Sequence, residues 1–170
     1  MDRAKQVESS RTFAVWVEPV AEKLRRDRAE VIVFARSVDA GAWSRPSNVE
    51  DWTCKEILAH LAGGNDQIVQ QLLRSVVAGE KVDPAIFSVD TDAENARAVA
   101  EQARKPVQAL VEELVRDGDE VQELLASLEE TDENLKEDLP FTLGQFLQIV
   151  EKEGHDLLHL SQLREATEGD

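Results

Sequence analysis

Between Val107 and Leu128 apolar side chains return every third or fourth residue, at Val107, Leu110, Val111, Leu114, Val121, Leu124, Leu125 and Leu128, with Gly118 the break in the pattern. That period is the 3.6-residue turn of a helix and not the two-residue alternation of a strand. Pro106 stands where a helix of this kind opens, because its missing N–H and fixed φ suit the first turn. A helix striped over such a length has to bury its stripe against others, and the chain supplies them. Val20, Leu24, Val31, Phe34, Ala35 and Val38 mark a helix over 19–39, started by Pro19 and closed by Gly41, with Arg25, Arg26, Arg28 and Glu30 on the other side. Ile57, Leu58, Leu61, Ile68, Val69, Leu72, Leu73 and Val76 mark a second from Thr53. The last runs from Phe141 to Leu163. No β-branched alternating segment bounded by turn residues occurs, so the expected fold class is all-α, a four-helix bundle in a single domain over 1–170. At 170 residues and 42% hydrophobic content one buried core is within reach.

Local signals fix where the helices begin. Thr142 with Gln145 and Thr53 with Glu56 have capping-box spacing, flanked by hydrophobic staples at Phe141 with Phe146 and Trp52 with Ile57. A third box at Thr91 and Glu94 follows Gly79 and Pro84, so 77–105 reads as a long crossover between helices two and three that contains a short helix. The first connection, AGAWSRPSNVEDW, is polar, anchored by Trp43 and Trp52, and favours an antiparallel turn. Residues 1–18 read as a helical lead-in whose Phe13 and Trp16 dock on the body, and 165–170 as a disordered tail.

Charge excludes one class of partner. With 35 acidic against 19 basic residues and a net charge of −16, the chain has no basic stripe to neutralise phosphates, so nucleic-acid binding is not expected. No run approaches ~20 apolar residues, so no membrane span is expected. The charged N-terminus MDRAKQVESSR lacks the apolar core of a signal peptide, and the single Cys54 allows no internal disulfide; both point to a cytoplasmic protein. A homodimer is compatible with all of this.

Three histidines carry the chemical signal. His155 and His159 are four residues apart on one helix, so both imidazoles project from one face about a turn apart and can reach a single metal ion. The remaining one is His60. At about 100° per residue, all three fall at the polar margins of their helices, His155 and His159 beside Gln148, Glu151 and Gln162, and His60 beside Glu56, Gln67 and Gln71. A groove between helices that retains water and open coordination positions would have this character. An HxxxH pair also arises by chance, and a single histidine is commonly a polar surface residue. Glu56 and Glu151, each one turn from a histidine, could be general bases, orienting partners or solvated acids, the last being favoured. Cys54 near a helix N-terminus could be reactive but is better read as an inert, buried thiol. The Gly63–Gly64 pair reads as a packing device.

The segment WTCKEILAHLAGGNDQIVQQLL, with a tryptophan eight residues before a histidine, followed much later by HDLLHLSQLR, resembles the DinB/YfiT-like superfamily of four-helix bundles. The resemblance runs from about Leu24 to Arg164 and includes the Arg45–Pro46 pair in the first connection and Asn95 early in the middle helix. It implies parallel second and third helices joined by a crossover. It also implies a divalent metal held by His60, His155 and His159. Relatives include thiol-dependent enzymes resembling mycothiol-dependent maleylpyruvate isomerase and bacillithiol S-transferases, although no thiol-binding signature is recognisable here. Two functions follow as expectations. In one, the metal (zinc, nickel or iron) activates a low-molecular-weight thiol or water for S-transfer, isomerisation or hydrolysis of a small molecule. In the other, the protein binds or sequesters a small molecule in a stress response without turnover. Free histidine titrates near ~6.5, so metal is expected to be lost below roughly pH 6.

Overall fold

The computed structural model describes residues 11–63, 66–87, 91–136 and 139–168. Its helices are α1 (Glu18–Ser37), α2 (Cys54–Gly63), α3 (Asp66–Ala78), α4 (Thr91–Gln102), α5 (Val107–Ala126), α6 (Leu143–Glu153) and α7 (His155–Glu168), with short 3-10 turns at Ala40–Ser44, Pro84–Phe87 and Glu130–Asn134. Among the described residues no strand forms beyond an isolated bridge between Pro46 and Thr53, and no helix is long and apolar enough to cross a membrane. The chain is all-helical and packs as a bundle. α1 lies against α5, α6 and α7; α2 lies against α4, α5 and α7; α3 lies against α5.

The caps act as their spacing predicts. Gln145 N donates to Thr142 Oγ1 at 3.2 Å while Thr142 N donates to Gln145 Oε1 at 3.0 Å, and the staple rings of Phe141 and Phe146 stack with centroids 5.8 Å apart. At the other box Thr53 N donates to Glu56 Oε2 at 2.8 Å and Thr53 Oγ1 donates to the same oxygen at 2.7 Å. The third box depends on the Thr91 side chain, which lies outside the described residues, as do Gly64 and the first ten residues of the lead-in. Phe13 and Trp16 do dock on the body, the Trp16 indole donating to Glu129 O at 3.2 Å.

Three departures from the sequence expectation shape the interior. The last helix is two: Gly154 adopts the left-handed conformation (φ 56°, ψ 42°), ends α6, and lets α7 begin at His155. The C-terminal residues form no free tail as far as Glu168, because Arg45 Nη1 donates to Thr167 O at 2.6 Å and Asn48 Nδ2 to Glu165 Oε2 at 3.0 Å. Arg28, expected on the polar side of the first helix, is buried together with Asp27. Arg28 is drawn inward by Asp156, whose carboxylate accepts from Nε at 2.5 Å and from Nη2 at 3.2 Å, and Nη1 donates to Leu114 O at 3.3 Å. A buried charge needs this degree of pairing. Gly118 makes room for it, since a Cβ there would stand 3.2 Å from Arg28 Cγ. The break in the α5 stripe is therefore the place where an arginine crosses the bundle.

That crossing divides the core. One apolar cluster gathers Val20, Leu72, Leu73, Leu125, Leu143 and Leu147 from the N-terminal half of α1, α3, the C-terminal half of α5 and α6. The other gathers Val31, Ile57, Leu58, Leu110, Leu114 and Leu160 from the remaining halves, α2 and α7. Asp27 and Arg28 lie between them along α1, and Gln122 sits at the edge of the first cluster on α5, all buried. Gly63 serves a different approach: a Cβ there would fall 2.6 Å from Gln102 Cγ, so α4 rides close on the end of α2.

Candidate metal centre

The three histidines meet. His60 comes from α2, one turn before its end, and His155 and His159 from the first two turns of α7. His155 Nε2 lies 3.1 Å from His60 Nε2 and 3.1 Å from His159 Nε2, and one nitrogen from each ring falls within 4.8 Å of the others. The rings stand edge to face, with centroids 5.1 Å apart for His60 and His155, 4.7 Å for His60 and His159, and 4.5 Å for His155 and His159. The Trp52 ring closes one side, 5.2 Å from that of His60.

Their surroundings differ from the polar groove the helical wheels suggest. His60 and His159 are buried, at 3% and 8% exposure, and His155 is half-buried. The Gly154 break accounts for part of this change, because a wheel drawn through a continuous helix assigns α7 the wrong rotation relative to α6. Burial, reinforced by the neighbouring rings of His159 and His155, pushes the His60 pKa down to about 3. Burial also pushes His155 down to about 4, with His159 adding to the effect, Asp156 opposing it and Arg28 adding to it. His159 is lowered by burial as well, against the opposing hydrogen bond to Gln162 and the Asp156 charge. All three rings are thus held neutral at pH 7.

A neutral imidazole has one N–H and one lone pair. The His159 Nδ1–H donates to Gln162 Oε1 at 2.6 Å, which leaves its Nε2 as a lone pair facing the other two rings. A single N–H on His155 cannot serve two nitrogen neighbours well, whereas a cation at the point of convergence takes a lone pair from each ring. Two nitrogens bound ~2.0–2.1 Å from one ion stand roughly 2.8–3.4 Å apart across octahedral or tetrahedral edges. The two 3.1 Å separations from His155 fall in that range and the third nitrogen pair lies within 4.8 Å, so the donor set fits a divalent metal in type and charge, and in spacing around His155.

The acids considered from sequence are placed elsewhere or already engaged. Glu56 is committed to the Thr53 cap. Glu151 is half-buried on α6, on the far side of the Gly154 break from the histidines. Cys54 is fully buried, and burial raises its thiol pKa, as an inert thiol requires. Sequence reasoning missed the Arg28–Asp156 pair that braces the residue next to His155. It grouped Gln162 with the histidines without giving it a role; its position three residues after His159 was the available signal.

His155 and Asp156 also border a chamber of about 480 Å³ between α1, α3, α5 and α6, walled largely by Leu24, Ile32, Ile68, Val69, Phe146 and Val150. Asp27 and Arg28 line the same chamber. A larger groove of about 790 Å³ between α1, α2 and α5, lined by Trp43 and Val111, includes none of the histidines.

No curated protein matches the chain, and no solved structure matches it either. Residues 24–138 match the family described as Mycothiol maleylpyruvate isomerase N-terminal domain. The matched span runs from within α1 through α5, including His60, and stops before α6 and α7. Covering more than half of the chain, it shows what the WTCKEILAHL segment suggested: the chain belongs to the mycothiol maleylpyruvate isomerase N-terminal domain family, within the DinB-like superfamily.

Proposed function

We propose that this protein is a metal-dependent member of its family in which His60, His155 and His159 hold one divalent ion, zinc, nickel or iron. The carrying observation is the convergence of three neutral imidazole nitrogens from two separate helices. The same reading takes α1, α2 with α3, α5, and α6 with α7 as the four units of a DinB-like bundle, with the segment around α4 as the crossover. It is supported by the packing of α1 on α5, α6 and α7 and of α2 on α5 and α7.

Three protein ligands leave coordination positions open, and when bound the metal would lower the pKa of water or of a low-molecular-weight thiol so that a nucleophile exists near neutral pH. The chain's own residues do the rest. Gln162 fixes the His159 tautomer that presents Nε2. Arg28, holding Asp156, anchors the first turn of α7 and with it His155. The apolar chamber bordered by His155 receives a small molecule and excludes water from it. Thiol S-transfer, isomerisation or hydrolysis is the reaction class this arrangement suits, and the family's name supports a thiol as the nucleophile. A second reading, binding or sequestration without turnover, is favoured by the engagement of Asp156 with Arg28 and of Glu56 with Thr53, which leaves neither carboxylate free to move a proton.

Protein purified without chelator should contain about one equivalent of divalent metal, and His60→Ala, His155→Ala and His159→Ala should each lose it. The chain buries two apolar clusters without help from an ion, so chelation should leave the helical circular dichroism intact and lower the melting temperature only by the binding term. Retention of metal in any of the three alanine variants, or unfolding on chelation at room temperature, would overturn the assignment.

A further inference from the structure

The groove of about 790 Å³ between α1, α2 and α5 holds none of the histidines and plays no part in the metal centre. Its apolar wall is Ala35, Val38, Ala40, Trp43, Val107 and Val111. The polar side chains set in that wall are of two kinds. Ser44 Oγ donates to Gly41 O at 3.1 Å, Thr53 Oγ1 to Glu56 Oε2 at 2.7 Å and Gln108 Nε2 to Glu112 Oε1 at 3.1 Å, so these are engaged. The Lys55 ammonium, the Arg36 guanidinium and the Trp43 indole N–H meet no acceptor among the described residues. Lys55 is half-buried and Trp43 is 6% exposed, yet none of the three donors is wholly sealed from solvent.

Lys55 is the exception in a chain with 35 acidic against 19 basic residues. The other half-buried lysines each hold a carboxylate, Lys23 that of Asp27 and Lys105 that of Glu113. A partly desolvated ammonium without an acceptor is unfavourable, and an anion brought into the groove relieves it. Glu112 is the acid among the lining residues; it is exposed, accepts from Gln108 and forms an ion pair with neither cation. Two cations against one acid leave a single positive charge uncompensated, which suits a monoanion. The apolar wall and the volume suit the body of a small molecule. We propose that this groove is a second ligand site, which binds an apolar aryl or alkyl monocarboxylate with its carboxylate on Lys55 and its body against Trp43. Arg36, on the exposed rim, adds to the attraction. A neutral molecule of the same shape leaves Lys55 unpaired, and Lys55 therefore selects for the charge. The site shares no lining residue with the histidine cluster and stands whether or not that cluster binds metal.

The test uses 1-pyrenebutyrate and 1-pyrenebutanol, which share a fluorescent apolar body and differ in the carboxylate. The full chain is titrated at ~150 mM salt, where charges more than about 8 Å away are largely screened. The carboxylate should bind about tenfold more tightly than the alcohol, in zinc-loaded and chelator-treated protein alike. The indole N–H resonance of Trp43, assigned with Trp43→Phe, should move as the carboxylate is added. Lys55→Met, which keeps the aliphatic stem and removes the charge, should bring the ratio below threefold with binding of the alcohol unchanged, and Lys55→Arg should keep the preference. Lys136→Met, which removes an exposed cation outside the groove, should leave the ratio as it is. If Lys55→Met does not fold, Arg36→Met should at least halve the ratio. A wild-type ratio below threefold, a ratio unaltered in the folded variant, or a Trp43 resonance that stays in place would overturn the proposal. So would a preference lost on chelation, which would put the carboxylate on the metal.

Discussion

Replacing Gly154 by alanine distinguishes a broken last helix from a continuous one by the sign of the effect. In a continuous helix a central glycine is a liability, and alanine would stabilise the protein by about 0.5–1 kcal/mol. In the structure Gly154 has φ 56° and ψ 42°, a conformation that carries about 1–2 kcal/mol of strain for a residue with a Cβ. No steric term is added, since the new methyl would meet Lys23 Nζ at 3.8 Å, an ordinary contact. The expected result is therefore destabilisation by about 1 kcal/mol or somewhat more, a fall in melting temperature of roughly 2–4 °C for a chain of this size. Urea unfolding followed by circular dichroism measures it, the midpoint moving down with an unchanged slope. Because His155 follows the glycine directly, zinc affinity should fall in the same variant. A midpoint that rises would refute the left-handed break and with it the placement of His155 by a second, separately oriented helix.

Metal-free protein should lose stability as the solution is acidified. The sign follows from His60 and His155, whose folded pKa values of about 3 and 4 lie below the free value of 6.5, so the unfolded chain takes up protons first. Stability should be level above about pH 6.5 and fall by about 1.4 kcal/mol per pH unit for each histidine kept neutral, down toward pH 4; a urea midpoint unchanged between pH 7.5 and 5 would contradict the burial of the cluster. Protons then compete for the folded site well below the pH 6 expected of free histidine, so metal should be retained at pH 6 and released where the fold itself gives way, as elemental analysis after dialysis would show. Gln162→Ala removes the acceptor of the His159 Nδ1–H and should weaken zinc binding about 10–100-fold with little change in melting temperature of the metal-free protein; unchanged affinity in a competition titration would remove Gln162 from the site.

The apolar stripes and two of the helix caps are properties of short stretches, and there the residues alone were sufficient, although the stripes from Thr53 and over 141–163 each proved to span two helices. The spacing of Thr53 with Glu56 and of Thr142 with Gln145 closes hydrogen bonds within one turn, so both caps form whatever the rest of the chain does. The four-residue spacing of His155 and His159 likewise puts two rings on one face by local geometry. What lay beyond the sequence depends on partners distant along the chain. Glycine at 154 takes left- and right-handed conformations with similar ease, so only the packing of α6 and α7 on α1 could choose between a tolerated residue and a helix end. Arg28 reads as solvated on its own helix and becomes buried because Asp156, 128 residues later, neutralises it and Gly118 leaves it space. The burial of Asp27 and the rise from margin to interior of His60 and His159 belong to the same layer: a residue's burial is fixed by what packs across from it, and periodicity within one helix carries no record of that neighbour.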